Sequence, residues 1–92
     1  MICAKMNDGF TVEVEEAFLN DSELIEAMVH ADKDPTAYFL LRDRMLSATD
    51  KERLYDHLRN EKGIVPFDAL CTALNELMTS SQAGKNSASS PN

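Results

Sequence analysis

The stretch VPFDALCTALNELM, residues 65–78, decides the fold class of this 92-residue chain. Its large apolar side chains recur at helical spacing from Phe67 to Met78, with Leu70, Cys71, Leu74 and Leu77 between them. This spacing puts them on one stripe of a helix, and Pro66 suits the first turn of such a helix. Because an apolar stripe must be buried against other elements, the stretch predicts a helical core.

Three helix-start signals precede this stretch. Asn20 and Thr49 each stand three residues before a glutamate, as in a capping box, and Asp34 precedes Pro35, which favours the first helical position. The segment that follows Asp34 has apolar side chains on more than one face, so we expect it to be buried on more than one side. These side chains are Tyr38, Phe39, Leu40, Leu41, Met45 and Leu46.

The two ends of the chain differ from its middle. Residues 1–10 read as a flexible lead that ends in a turn at residues 7–9, and residues 79–92 are a Ser/Asn/Gly-rich stretch that we predict to be a disordered polar tail. Residues 10–14 alternate as in a short strand, but Val14, Ala17 and Phe18 repeat at helical spacing, and we favour the helix. The expected fold is therefore all-α: a compact antiparallel bundle of four to six short helices over residues 11–78.

Charge limits the classes of partner. The net charge is −7, and residues 1–34 hold nine acidic residues against Lys5 and Lys33. This balance argues against binding to nucleic acid or to an anionic membrane surface. The sequence has no apolar run of the ~20 residues that span a bilayer and no signal-peptide pattern, so we expect a cytoplasmic protein. The two cysteines, Cys3 and Cys71, fit that reducing compartment.

The sequence carries no motif of catalysis or cofactor binding. It lacks a phosphate-binding loop, a dinucleotide fingerprint, HExxH, CxxC and GxSxG, and its two histidines, His30 and His57, are far apart. We therefore predict no enzyme activity, no catalytic residues, no metal, no cofactor and no small-molecule substrate.

The segment from Asp50 to Met78 resembles the last two major helices of a caspase recruitment domain, a member of the death-fold superfamily. The residues that carry the resemblance are LYDHL at 54–58, KG at 62–63 and PFDALCTAL at 66–74. A second resemblance, to the harmonin-homology domain, covers residues 45–59 and 64–77 but leaves no counterpart for its last two helices. Both resemblances imply an adaptor or scaffold domain, and we prefer the death-fold-like one.

The death-fold resemblance implies signalling by docking on another helical domain, homotypic or heterotypic, through an acidic and a basic patch. The predicted partner-binding residues are Glu13, Glu16, Glu23 and Glu26 on the acidic side and Arg42, Arg44, Arg53 and Arg59 on the basic side. The alternatives are that these charges only keep the protein soluble, or that a structural or regulatory subunit binds a partner helix in an apolar groove.

Overall fold

A computed structural model describes the backbone of residues 1–89 and the side chains of residues 1–82. In chain order the elements are the strands β1 Ile2–Lys5 and β2 Thr11–Val14, a 3-10 helix Glu16–Asn20, and the helices α1 Ser22–Ala31, α2 Ala37–Met45, α3 Ala48–Leu58 and α4 Phe67–Ser89. The prediction of a compact, mostly helical fold is confirmed, but the chain is not all-α because its N-terminus forms a two-stranded sheet.

The N-terminal hairpin replaces the flexible lead and the first helix expected from the sequence. β1 and β2 pair antiparallel, and Ala4 lies opposite Val12 with both side chains buried, while Cys3 and Glu13 are exposed. This segment therefore forms a strand and not a helix, because it pairs with β1 and its alternating apolar side chains then lie on the inward face of the hairpin. The turn predicted at residues 7–9 is confirmed, with Gly9 at φ 100°.

The helix starts lie close to the predicted ones but use different caps. Asp21, not Asn20, caps α1, and its carboxylate accepts the N–H of Glu23. Ser47, not Thr49, caps α3 by accepting the N–H of Asp50 at 3.1 Å. Adjacent residues in these segments have similar capping propensity, so the sequence alone does not select among them.

The core forms around α4. The predicted stripe is buried at Leu70, Leu74, Leu77 and Met78, and Ala73 is buried beside it. The inward face of the hairpin, α2 and α3 pack around this helix, and α1 packs mainly against α2. The interpretation of residues 65–78 as a core helix is confirmed, except that Phe67 remains 40% exposed and Cys71 is only partly buried.

The helix α4 continues past Met78 into the stretch predicted as a disordered tail. Ser81 is fully buried, with its hydroxyl donating to the carbonyl of Leu77 at 2.8 Å, and Ser80 Oγ accepts the N–H of Lys5 at 2.8 Å. Small polar side chains let β1 approach the helix closely, so the polarity of this stretch does not prevent it from packing. Residues 90–92 of the predicted tail lie outside the described residues.

Candidate partner-binding surface

The helix α2 exposes two large apolar side chains. It buries Ala37, Leu41 and Met45 at successive turns, whereas Phe39 is 39% exposed and Leu40 is 61% exposed. We expected this segment to be buried on more than one side, and that prediction is wrong for these two residues. The reason is that α2 lies on the outside of the molecule, so its outward side meets solvent.

Phe67, the first residue of α4, extends this exposed apolar surface. Its ring centroid lies 5.3 Å from that of Phe39. We call the surface formed by Phe39, Leu40 and Phe67 the α2 face. Clustered exposed apolar side chains, unlike scattered ones, mark sites of association.

An open cleft lies beside the α2 face, between α1 and α2. Its volume is about 300 Å³, and we call it the α1–α2 cleft. The cleft is open because Ala27 and Ala37, which are buried between the two helices, have small side chains, and Leu40 forms one wall. Drug-sized ligands occupy pockets of ~300–1,000 Å³ that enclose most of their surface, so this open cleft better fits a single side chain of a partner.

The rim of the cleft is anionic. It carries the carboxylates of Glu23, Glu26 and Asp34, together with the imidazole of His30. The pKa of Asp34 is held below its ordinary value chiefly by hydrogen bonds from the hydroxyl and N–H of Thr36, so this carboxyl group is ionised at neutral pH. Among residues 1–82, Glu26 has no ion-pair partner, which leaves its charge available to a ligand.

Two of the predicted basic residues, Arg42 and Arg44, bond within the chain. Arg42 Nη1 donates to the hydroxyl of Tyr55 at 2.5 Å, and its Nε donates to Asp43 at 2.8 Å. Arg44 donates to the carboxylate of Asp21 through Nη2 at 2.7 Å and Nε at 3.0 Å. Both guanidinium groups therefore hold helices together.

The other two arginines also have intramolecular acceptors. Arg53 donates to Asp50 at 2.8 Å and to the carbonyl of Thr11 at 3.1 Å, which ties α3 to β2. Arg59 donates to the carbonyl of Gly63 at 3.0 Å and closes the turn after α3. Because the four arginines all contact acceptors of the same chain, much of their charge is satisfied internally.

The four predicted acidic residues do not form one patch. Glu23 and Glu26 lie together on α1 at the α1–α2 cleft. Glu13 lies on β2, beside a second cleft of about 360 Å³, and Glu16 opens the 3-10 helix. The sequence thus predicted two of the three carboxylates at the cleft rim, but it did not identify Leu40 and Phe39, whose exposure depends on how α2 packs.

The described residues show no cluster suited to metal chemistry. Among them, no group of three or more His, Cys, Asp or Glu side chains is placed to hold a metal ion. Cys3 and Cys71 are free thiols, and burial, with a smaller effect of nearby Asp68, raises the pKa of Cys71. A raised pKa keeps that thiol protonated and weakly nucleophilic.

Comparisons with protein-family models, with curated proteins and with solved structures each give no match to this chain. In the part of the chain that the structure describes, no helix is both long enough and apolar enough to cross a membrane.

Proposed function

We propose that this chain is a non-catalytic protein-binding module, an adaptor or scaffold domain, that docks a partner helix on the α2 face and in the α1–α2 cleft. The observation that carries the proposal is the exposure of Phe39, Leu40 and Phe67 next to an open cleft. Fully burying one large apolar side chain contributes ~1.5–3 kcal/mol, so these side chains are suitable anchors for a partner.

This proposal places the affinity in apolar contacts and gives charge a secondary role. The four arginines do not enter it, because each donates to an acceptor within the chain. Exposed ion pairs contribute only ~0–1 kcal/mol each, so Glu23 and Glu26 serve to orient the partner.

The death-fold resemblance supports the same class of function. It covers residues 50–78, which form most of α3, the turn after it and the first half of α4. The hairpin and the α1–α2 pair lie outside this match. A death-fold-like arrangement of the last two helices therefore remains part of the proposal, and docking on a homotypic domain is one outcome that the experiment distinguishes.

The test replaces one exposed apolar residue in each of two places. Leu40→Glu changes the α2 face, and Val29→Glu is its control, since Val29 is 65% exposed on α1 and does not line the cleft. Tagged full chains capture partners from a lysate of the source cells, and mass spectrometry quantifies them. We expect Leu40→Glu to lose the partner and Val29→Glu to retain it, with both melting temperatures close to that of the parent.

Two outcomes would change the interpretation. Recovery of the same proteins by the parent and by Leu40→Glu would contradict docking on the α2 face. Sedimentation velocity gives the second outcome: a concentration-dependent dimer of the parent that Leu40→Glu abolishes would identify a second copy of this chain as the occupant.

A further inference from the structure

We infer that the partner helix carries its Lys and Arg residues along one flank only, the flank that lies over the α1–α2 cleft. This inference rests on the proposed function and specifies the chemistry of its partner. It follows from a difference in charge between the two sides of the α2 face.

The two sides of the α2 face differ because of the residues that border them. At 100° per residue, the outward positions around α2 run from Leu40, beside the cleft, through Asp43 and Phe39 to the partly buried Arg42. The Leu40 side meets the carboxylate of Glu23, which lies 3.7 Å from Arg44 Nη2, and that of Glu26, which has no ion-pair partner among residues 1–82. On the Phe39 side, the guanidinium of Arg42 lies 5.1 Å from the ring centroid of Phe39.

The Phe39 side has further positive charge. The ammonium of Lys51 lies 6.0 Å from the ring centroid of Tyr55, and Tyr55 also accepts a hydrogen bond from Arg42. Asp43 is paired with Arg42, so these two charges largely balance each other and Lys51 leaves the Phe39 side positive. A partner cation is therefore attracted on the cleft side and not on the opposite side, and this asymmetry fixes the direction of a docked helix.

The shape of the cleft suits a long cationic side chain. Its floor is formed by Ala27 and Ala37, and its apolar wall is Leu40. The methylene stem of a lysine or arginine would lie along Leu40 while its charged end reaches Glu23 and Glu26. A guanidinium also donates to carboxylates in a bidentate manner, which favours arginine at this position.

Charge also distinguishes a basic partner from a second copy of this chain. A second copy would bring its own net charge of −7 against the same anionic rim. Its four arginines already donate to acceptors within their own chain. The occupant that complements the cleft is therefore a different protein with a basic amphipathic helix.

The test uses three synthetic helical peptides of about 15 residues, a length near the lower limit for helix formation in isolation. All three carry the same leucine stripe; one has Lys and Arg on a single flank, one has them on both flanks, and one has Glu on a single flank. Calorimetry with the full chain measures each affinity at low and at moderate salt. We expect the peptide with one basic flank to bind most tightly and the acidic peptide to bind most weakly.

Charge-neutral variants connect this preference to the cleft. The double variant Glu23→Gln and Glu26→Gln should weaken binding of the one-flank basic peptide about three- to tenfold and flatten its salt dependence. The control, Glu52→Gln with Glu61→Gln, removes the same charge from α3 and the turn after it and should bind like the parent.

The outcomes separate this inference from the proposed function. Equal binding of the basic and acidic peptides, or equal losses in the two double variants, would overturn the basic-flank inference. If Leu40→Glu still weakens the binding of all three peptides in that case, the proposal that partners dock on the α2 face remains supported. Binding that is insensitive to Leu40→Glu would contradict the proposed function as well.

Discussion

Arg44 and Asp21 join the last turn of α2 to the first residue before α1. Both nitrogens of the contact, Nη2 at 2.7 Å and Nε at 3.0 Å, bond to Oδ2 of Asp21. The other oxygen, Oδ1, accepts the N–H of Glu23 at 2.9 Å and so caps α1. One carboxylate thus caps the N-terminus of α1 and holds the last turn of α2. These two helices form the walls of the α1–α2 cleft.

This pair predicts a pH-dependent effect of Arg44→Met. Partial burial raises the pKa of Asp21, but the hydrogen bonds from Arg44 and from the N–H of Glu23 outweigh it and lower the pKa below its ordinary value of 3.8. A carboxyl group whose pKa is lower in the folded than in the unfolded state stabilises the fold above pH 3.8. This contribution is lost as the pH falls through the pKa of the folded state. Arg44→Met should therefore be less stable than the parent at pH 7, and the difference should narrow below pH 3.8.

Urea denaturation of the parent and of Arg44→Met between neutral and acidic pH measures this difference. Lys62→Met is the control: it removes the same charge from an exposed lysine that has no ion pair among the described residues. An equal loss of stability in both variants, or a difference that is independent of pH, would show that the Asp21 contact does not stabilise the fold.

A second prediction concerns the core position Leu74. Its side chain is fully buried on α4, so Leu74→Ala should reduce the free energy of unfolding by about 2–5 kcal/mol through lost burial and the cavity that remains. Ile64→Ala, at a residue that is 54% exposed, should change stability much less. Equal melting temperatures for Leu74→Ala and the parent would show that the stripe of α4 is not the core.

The sequence predicts α4 better than it predicts the hairpin for a physical reason. The apolar stripe from Phe67 to Met78 repeats over several turns, so its helical period is unambiguous. The alternation at residues 10–14 is short, and only its pairing with β1, which ends six residues before β2 begins, makes the strand favourable. That pairing is a tertiary contact, and local periodicity carries no information about it.

The candidate site was predictable only in its charges. Glu23 and Glu26 share an exposed face of α1, as helical spacing indicates. Phe39 and Leu40 belong to a helix that is apolar on several sides, and sequence alone does not show which side meets solvent. The same limit applies to Arg44, whose acceptor lies 23 residues earlier in the chain.

A third prediction concerns the contact between the hairpin and α3. Phe10 stacks on His57, with ring centroids 4.4 Å apart, and the guanidinium of Arg53 lies 5.1 Å from the ring centroid of Phe10. His57 Nε2 is also 2.7 Å from Oδ2 of Asp8. Because the ring is only partly buried, Phe10→Ala should cost about 1–3 kcal/mol, less than a fully buried phenylalanine.

Thermal denaturation of Phe10→Ala tests the contact against Phe18→Ala, since Phe18 is 38% exposed in the 3-10 helix and has no aromatic or cation contact among the described residues. We expect Phe10→Ala to lose more thermal stability than Phe18→Ala. A larger loss for Phe18→Ala would mean that the stack does not hold the hairpin on α3.

The last prediction separates two neighbouring serines of α4. Ser80 Oγ accepts the N–H of Lys5, a backbone group on the outer edge of β1, whereas the Ser81 hydroxyl donates to the carbonyl of Leu77 in its own helix. Ser80→Ala leaves the strand N–H without its acceptor and should cost about 0.5–1.5 kcal/mol. Ser81→Ala removes only a bond within the helix, to a carbonyl that already belongs to the helical backbone, and should be nearly neutral. The two variants delete the same atom from adjacent residues, so helix propensity changes equally in both.

Denaturant unfolding and amide hydrogen exchange at Lys5 measure the difference. Faster exchange at Lys5 in Ser80→Ala alone is the expected result, because of the two serine hydroxyls only that of Ser80 bonds to the hairpin. Equal exchange in the two variants would show that β1 is held by its apolar face and not by this hydrogen bond.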